Sequence, residues 1–264
     1  VSIVNSRGEE VVADSVYHSY VQKDCTLSRT VNLEPGEYRI EVTYRAGHQG
    51  KEGSFTARYT ADAPYSDMPE SSWYHDAVLE ALAMGLMTGY GDGTFGPSDS
   101  LTRAQAATIL WRYFQPTASK NYNAQAATNR TKMADVESGC FYTEAANWAV
   151  ENGVIHGVEK DGELCFDPDA SIPREQLCVM IANAAHELCG RSVEGASRAK
   201  LEAMPDAQSV PEWAADSIAW CLNEGVVNGV DESGTRYVEP VSIVDRATMA
   251  QIMVNAIGAE ALSR

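Results

Sequence analysis

The sequence predicts a multidomain protein, in which a small antiparallel β region over residues 1–62 precedes an all-α part over residues 63–260. Two observations support this division. A block of residues with helical patterning occurs three times, roughly seventy residues apart. The first sixty residues instead show the alternation of apolar and polar side chains that is typical of half-buried strands.

The amino-terminal region contains several short segments with strand patterning. Residues 38–44 alternate apolar and polar side chains, and the turn-forming residues 34–37 precede them. Residues 1–4, 16–21, 27–33 and 55–59 add further apolar segments. We therefore expect four or five antiparallel strands, arranged as a sandwich-like β region or as the end of a larger β domain. The sequence does not indicate a function for this region.

The repeated block has fixed internal spacing. Each copy contains an aspartate, an aromatic residue, two glycines, a proline and an arginine, with six residues from proline to arginine and twelve from aromatic residue to first glycine. Repetition of this kind indicates one supersecondary unit stacked on copies of itself. We place copy 1 at residues 63–118, copy 2 at 130–190 and copy 3 at 201–260. The aligned site positions are Asp67, Asp135 and Asp206; Trp73, Phe141 and Trp213; and Arg103, Arg174 and Arg246.

Each copy reads as a first helix, a glycine-punctuated loop and a second helix. The first helix follows the aromatic residue and ends at a glycine, a residue suited to a helix C-cap. Small residues on the first helices predict that these three helices converge on one shared axis. The glycines are Gly85, Gly153 and Gly225, and the small residues are Ala81, Ala149 and Cys221.

The second helix begins near the arginine of each copy. In copy 1, Thr102 and Gln105 have the spacing of a capping box. Asp245 is a suitable N-cap in copy 3, whereas Pro173 in copy 2 suits a first helical position. Three second helices therefore follow the three loops.

The arginine is electrostatically unfavourable at this place, because a cation in the first turn opposes the helix dipole. One explanation is an ion pair with the repeated aspartate. The alternative is that the guanidinium and the free N–H groups of the helix start jointly hold an anion. Both explanations can hold together if the aspartate orients the arginine.

The repeated residues resemble the S-layer homology (SLH) domain family. The run Tyr90-Gly91-Asp92-Gly93-Thr94-Phe95-Gly96-Pro97, followed by Thr102-Arg103-Ala104-Gln105, is the part most similar to it. Three tandem copies over about residues 64–258 match the usual arrangement of this family. The resemblance implies a compact, three-lobed α-helical module with pseudo-threefold symmetry.

The resemblance also implies a function. Such modules attach secreted bacterial surface proteins non-covalently to secondary cell-wall polysaccharide, often to a pyruvylated terminal amino sugar, in grooves between repeats. The arginines would contact the ligand, and the repeated aspartates and aromatic residues would wall the grooves. Copy 1 is the most similar to the family, whereas Phe141, Val238, Pro173 and Asp245 depart from the family pattern. The implied localisation is extracellular, at the bacterial cell wall.

Composition limits the other possibilities. The net charge of −17 argues against nucleic acid as a partner, and the sequence has no apolar run of the length that spans a membrane. The start at Val1, without an initiator methionine, suggests a mature or excised fragment. Cys140 and Cys165 lie in loops and are a candidate pair, whereas Cys178 and Cys221 occupy small core positions. We expect a monomer with no metal and no cofactor.

Two other classes of function stay open at this point. An enzyme would need a catalytic constellation, and neither a nucleophile elbow, a zinc-binding HExxH motif nor a phosphate loop is present. We therefore assign no catalytic residue, although a catalytic domain upstream of this segment is compatible with the sequence. A structural or adhesive protein would use its repeats only for packing, and its β region would bind a partner.

Overall fold

The computed structural model of the protein describes residues 2–5, 10–13, 38–41 and 65–263. The chain divides into two compact units, residues 1–58 and residues 59–264. The described residues are mostly helical and also form small antiparallel sheets.

The first unit contains a three-stranded antiparallel sheet. Its strands are β1 (Ser2–Asn5), β2 (Glu10–Ala13) and β3 (Tyr38–Glu41), in the spatial order β2-β1-β3. Ile3 is opposite Val12 on one side and Ile40 on the other. The strands predicted near residues 1–4 and 38–44 are confirmed, and β2 was not predicted. The segments predicted at residues 16–21, 27–33 and 55–59 lie outside the described residues.

The second unit contains eight α-helices within residues 65–263. They are α1 (His75–Ala83), α2 (Arg103–Phe114), α3 (Pro116–Lys120), α4 (Thr143–Glu151), α5 (Arg174–Cys189), α6 (Ala199–Glu202), α7 (Glu212–Asn223) and α8 (Arg246–Gly258). The first and second helices of the copies are thus α1 and α2, α4 and α5, and α7 and α8. None of the helices in the described residues combines the length and apolar character that a bilayer crossing requires.

Helices from different copies pack against each other. Helix α1 packs against α8, α2 against α4, and α5 against α7, so each first helix lies against the second helix of another copy. These contacts give no support to the prediction that the first helices share one axis, and it stays a prediction. The Sγ of Cys221 lies 3.7 Å from the carbonyl oxygen of Cys178 on α5. The small residue at this position therefore allows close approach to a second helix.

The segments before the second helices meet in a ring of hydrogen bonds. The amide of Leu101 donates to the carbonyl of Val244 (2.8 Å), Val244 donates to Ile172 (3.0 Å), and Ile172 donates to Leu101 (2.9 Å). All three side chains are buried. Buried residues of all three copies form one hydrophobic cluster, so the copies share a core.

The ends of the helices largely follow the sequence prediction. Thr102 and Gln105 form the predicted capping box at α2, and the Asp245 side chain accepts a hydrogen bond from the Thr248 amide at α8. Pro173 lies at the N-cap of α5 rather than at its first helical position. The glycines after α1, α4 and α7 have the positive φ angles that a C-cap glycine adopts.

Copies 2 and 3 contain hairpins that the sequence reading missed. Strands β4 (Val158–Lys160) and β5 (Glu163–Cys165) pair in copy 2, and β6 (Val230–Glu232) and β7 (Thr235–Tyr237) pair in copy 3. Both turns place two residues at positive φ, Asp161-Gly162 and Ser233-Gly234, as a type I′ turn requires. Aspartate–glycine and serine–glycine pairs are common in such turns, so the sequence carried an indication of both hairpins.

Candidate functional site

Each repeated aspartate fixes the loop of its own copy. The two carboxylate oxygens of Asp67 accept hydrogen bonds from the amides of Phe95 and Gly96, both at 2.7 Å. Asp135 and Asp206 make the same pair of bonds in copies 2 and 3. We call the three-residue segments that follow the proline loops, namely residues 95–97, 166–168 and 238–240.

The middle residue of each proline loop has a left-handed backbone. It is Gly96 in copy 1, Asp167 in copy 2 and Glu239 in copy 3, with φ angles of 69°, 60° and 49°. Only glycine adopts this conformation without steric cost. The second hydrogen bond from the repeated aspartate goes to the amide of this residue, so the aspartate holds the loop in an otherwise unfavourable conformation.

Two of the three arginines insert into the proline loop of another copy. Arg103 donates from Nε to the carbonyl of Phe166 in copy 2 (2.9 Å), and Arg246 donates from Nε to the carbonyl of Phe95 in copy 1 (2.9 Å). The Arg246 guanidinium also lies 4.5 Å from the centre of the Phe95 ring. Both arginines are only 6% exposed. They therefore connect one copy to the next.

The terminal nitrogens make a second contact in each case. Nη1 of Arg103 donates to the Gln176 side chain (2.6 Å), and Nη2 of Arg246 donates to the carbonyl of Thr88 (2.6 Å). Burial lowers the pKa of the Arg103 guanidinium, while the charges of Asp167 and Asp135 raise it. The third nitrogen of Arg103, Nη2, makes no hydrogen bond within residues 65–263.

The amide groups at the starts of the second helices are not free. Arg103 and Ala104 donate their amides to carbonyls of Ala170 and Pro168 in copy 2. The corresponding amides of copies 2 and 3 donate to carbonyls of copies 3 and 1. These amides are therefore not free to bind an anion, because they already donate to backbone oxygens of a neighbouring copy. That the arginines themselves hold an anion stays a prediction.

The alternative ion pair is not formed either. Within residues 65–263, no repeated aspartate lies in an ion pair with a repeated arginine. The aspartates bind amides and the arginines Arg103 and Arg246 bind carbonyls, so the backbone of the proline loop stands between the two charges. A bound carbonyl lessens the unfavourable interaction of the arginine with the helix dipole.

Arg174 has a different environment from its two counterparts. It is half-buried, and its buried Nε has no hydrogen-bond partner within the described residues. Val238 takes the place of the loop phenylalanine, so no aromatic ring lies at this position. The next residue, Glu175, is buried, and its Oε2 also has no partner in the described part of the chain. Burial raises the pKa of the Glu175 carboxyl.

The repeated aromatic residues lie at the surface. Trp73, Phe141 and Trp213 are 64%, 54% and 58% exposed. Phe141 lines a groove of about 620 Å³ with Asp135, Cys140 and Pro168. The structure thus brings the predicted residues Asp135 and Phe141 together in copy 2. Three further carboxylates line this groove, those of Glu137, Asp167 and Asp169.

The sequence reading missed other residues of this region. Gln176 binds Arg103, and the Tyr90 ring lies 4.9 Å from the Arg246 guanidinium. The Tyr90 hydroxyl donates to Asp99 at 2.9 Å, and burial, together with this bond, raises the pKa of Tyr90. Gln176 lies in the repeated arginine motif, and this position indicated a role near the site. Its partner Arg103 lies in another copy and could not be inferred from one sequence.

The structure shows neither a disulfide between the candidate cysteines nor a metal-binding cluster in the described residues. Cys140 and Cys165 are not joined by a disulfide, so the candidate pair is not formed here. Burial and the neighbouring Cys140 thiol raise the pKa of Tyr142 to about 12. Within the described ranges, no three His, Cys, Asp or Glu side chains are grouped in a way that could hold a metal ion.

Comparison with known proteins agrees with the resemblance. The sequence model of the S-layer homology domain family matches residues 64–107. The chain is 26% identical over 187 residues to the surface-layer 125 kDa protein of Lysinibacillus sphaericus, covering 71% of this chain and 14% of that protein. It is also 29% identical over 117 residues to the cellulosome-anchoring protein of Acetivibrio thermocellus, covering 44% of this chain and 25% of that protein.

Several relatives are named as enzymes, among them the amylopullulanase of Thermoanaerobacterium thermosulfurigenes. This amylopullulanase is 26% identical over 188 residues, which are 71% of this chain and 9% of that protein. The chain therefore spans a small part of the curated relatives that it matches. Surface-layer and cell-surface relatives indicate an extracellular, cell-surface localisation, and they support cell-wall binding and surface anchoring.

Proposed function

We propose that this chain anchors a secreted bacterial surface protein non-covalently to secondary cell-wall polysaccharide. The match to the S-layer homology domain over residues 64–107 supports the cell-wall attachment. We further propose that the three copies form one pseudo-threefold module with the boundaries predicted above. The ring of hydrogen bonds through Leu101, Ile172 and Val244 supports this arrangement.

The observation that carries the binding site is the exposure of the repeated aromatic residues. Tryptophan and other large aromatic side chains contribute strongly to interfaces with partners. In copy 2, Phe141 is exposed beside a groove with four carboxylates. An aromatic ring and a few polar acceptors suit a sugar. The aromatic ring packs against the C–H face of the sugar, and the carboxylates accept hydrogen bonds from its hydroxyl groups. We place an uncharged sugar ring of the polymer there.

Among the described residues, no arginine lines the groove beside Phe141, but Arg103 lies at the adjoining proline loop and supplies positive charge next to it. The chain carries a net charge of −17, so attraction for an anionic polymer has to be local. Arg103 uses Nε and Nη1 within the protein, and Nη2 is the nitrogen left for a ligand. We infer that Arg103 offers one charge-assisted hydrogen bond to a pyruvyl carboxylate rather than a bidentate pair. The Nε of Arg174 is buried, but this half-buried side chain makes no hydrogen bond within the described residues, so its two terminal nitrogens are left for a ligand.

The aspartates act indirectly in this proposal. Asp67, Asp135 and Asp206 use both oxygens to hold the proline loops, as described above. They therefore shape the groove walls, and the aromatic residues and arginines meet the polymer. We assign no catalytic residue to this segment. The 9% coverage of the amylopullulanase is consistent with an anchoring part that is attached to catalytic domains elsewhere in that chain.

A sedimentation assay tests the proposal. Residues 59–264, the second compact unit, should co-sediment with wall sacculi that carry pyruvylated polymer. Chemical removal of the polymer should abolish the binding, and sacculi from a strain without the pyruvyl group should bind more weakly. Equal binding to bare peptidoglycan would contradict the proposal. Absence of any wall binding would favour the structural or adhesive alternative.

A further inference from the structure

We propose that copy 3 carries a second polymer-contacting site, which takes a carboxylated sugar residue. This inference rests on the proposed function. The site is a groove of about 510 Å³ between helix α6, the end of helix α7 and the hairpin β6–β7. Its apolar wall includes Met204, Leu222 and Val227, and its two charged side chains are Lys200 and Arg236.

The charge of this groove is opposite to that of the chain as a whole. The protein has 37 acidic and 20 basic side chains, yet no carboxylate is among the residues that line the groove. The groove beside Phe141 has four carboxylates and no basic side chain in its lining. A pocket with two cations and no anion favours an anionic ligand, because the nearby cations attract it although the chain as a whole is negative.

The two cations are arranged differently. Lys200 Nζ donates to the carbonyls of Leu222 (2.9 Å) and Asn223 (3.4 Å) at the end of α7, so its position is fixed. Arg236 is exposed, and its hydrogen bond in the described part of the chain is a long one to the Asn228 carbonyl (3.4 Å). Its cross-strand neighbour Asp231 already accepts the Gly234 amide. Arg236 thus has donors left for a ligand.

This groove is distinct from the grooves between copies. None of its lining residues is a repeated aspartate, aromatic residue or arginine of the site described above. The corresponding hairpin position in copy 2 is Leu164, which is opposite Glu159 as Arg236 is opposite Asp231. The cationic pair therefore belongs to copy 3, and it adds a contact that the repeated motif does not provide.

The combination of charges and apolar wall indicates the ligand class. A guanidinium binds a carboxylate with well-defined geometry, and an apolar wall can cover the C–H face of a sugar ring. A uronic acid or another carboxylated sugar in the wall polymer has both parts. A free phosphate has only the charge and would leave the half-buried Met204 uncovered.

Nuclear magnetic resonance titration tests this site on the intact chain. Methyl β-D-glucuronide should shift the backbone amides of Asn228, Thr235 and Arg236 in a saturable way at constant ionic strength. Methyl β-D-glucoside, the neutral match, should not. The variant Arg236→Gln should bind the glucuronide about tenfold more weakly or worse. Lys120→Gln, which removes one positive charge from the exposed helix α3, should bind as the unmodified chain does.

Three results would overturn the inference. They are equal binding of glucoside and glucuronide, equal shifts with inorganic phosphate, and unchanged glucuronide affinity in Arg236→Gln. Failure of the wall-anchoring function is distinguishable from these. In that case the chain would not co-sediment with polymer-bearing walls, whereas the glucuronide would still bind this groove and respond to Arg236→Gln.

Discussion

The interface that Arg174 makes with copy 3 differs from the interfaces made by Arg103 and Arg246. Those two arginines are buried, donate from Nε to a loop carbonyl and lie near an aromatic ring. Arg174 is half-buried, its Nε has no partner in the described residues, and a buried glutamate follows it. One motif therefore occurs in two environments, since Arg103 and Arg246 connect copies through Nε and Arg174 makes no such hydrogen bond within the described residues.

The largest expected effect comes from the aspartate that holds the loop under Arg103. Asp135→Ala removes two charge-assisted hydrogen bonds and leaves two loop amides without acceptors. We expect a loss of roughly 3–5 kcal/mol in the free energy of unfolding, measured by urea denaturation. The matched control is Asp169→Ala, an exposed carboxylate in the same groove, which should change stability by less than about 0.5 kcal/mol. Equal losses in both variants would contradict the role of Asp135.

Alanine variants of Arg246 and Arg174 should differ in the free energy of unfolding, measured by the same urea denaturation. Arg246→Ala removes two hydrogen bonds to carbonyls and the contact with the Phe95 ring. We expect it to lower the free energy of unfolding by roughly 2–4 kcal/mol. Arg174→Ala should cost less than about 1 kcal/mol. If the two variants lose the same stability, the contrast between the interfaces is wrong.

Glu175 should make the stability of the third interface depend on pH. Burial raises the pKa of its carboxyl in the folded chain above that of the unfolded chain. At a pH below the pKa of Glu175 in the unfolded chain, the carboxyl is protonated in both states and does not lower the free energy of unfolding. As the pH rises toward the folded value, only the unfolded chain ionises freely, so stability falls.

Glu175→Gln removes this dependence. The variant should be more stable than the unmodified chain at pH 7, and the difference should vanish below the pKa of an unfolded glutamate, about pH 4. Thermal denaturation across this pH range measures it. The effect is smaller than those of the aspartate and arginine variants, because one side chain changes and no loop is released. A constant difference between the two proteins at all pH values would exclude the buried carboxyl as its cause.

The sequence predicted the elements of the repeats better than their contacts. Helix starts at Thr102 and Asp245 and ends at Gly85, Gly153 and Gly225 depend on local capping chemistry, which neighbouring residues specify. The partner of each arginine is a carbonyl in another copy, such as Phe166 for Arg103. Such a contact depends on how the copies pack, and a single sequence does not encode it in a local pattern.

The packing partner of the first helices was equally hard to infer. Small residues at Ala81, Ala149 and Cys221 correctly indicated close helix packing, since all three are fully buried. The sequence could not say which helix approaches. The Cys221–Cys178 contact shows that the neighbour is the second helix of another copy. The ring through Leu101, Ile172 and Val244 uses backbone groups, and the apolar residue two positions before each repeated arginine was the trace that the sequence offered.

The most direct test of the proposed wall binding is the co-sedimentation of a variant in which Trp73, Phe141 and Trp213 are all changed to alanine. These side chains are more than half exposed, so the variant should fold with a stability close to that of the unmodified chain. Met84→Ala, at another exposed apolar residue, serves as the control. We predict that the triple variant stays in the supernatant while the unmodified chain and Met84→Ala sediment with polymer-bearing walls. A folded triple variant that sediments as well as the unmodified chain would contradict the account.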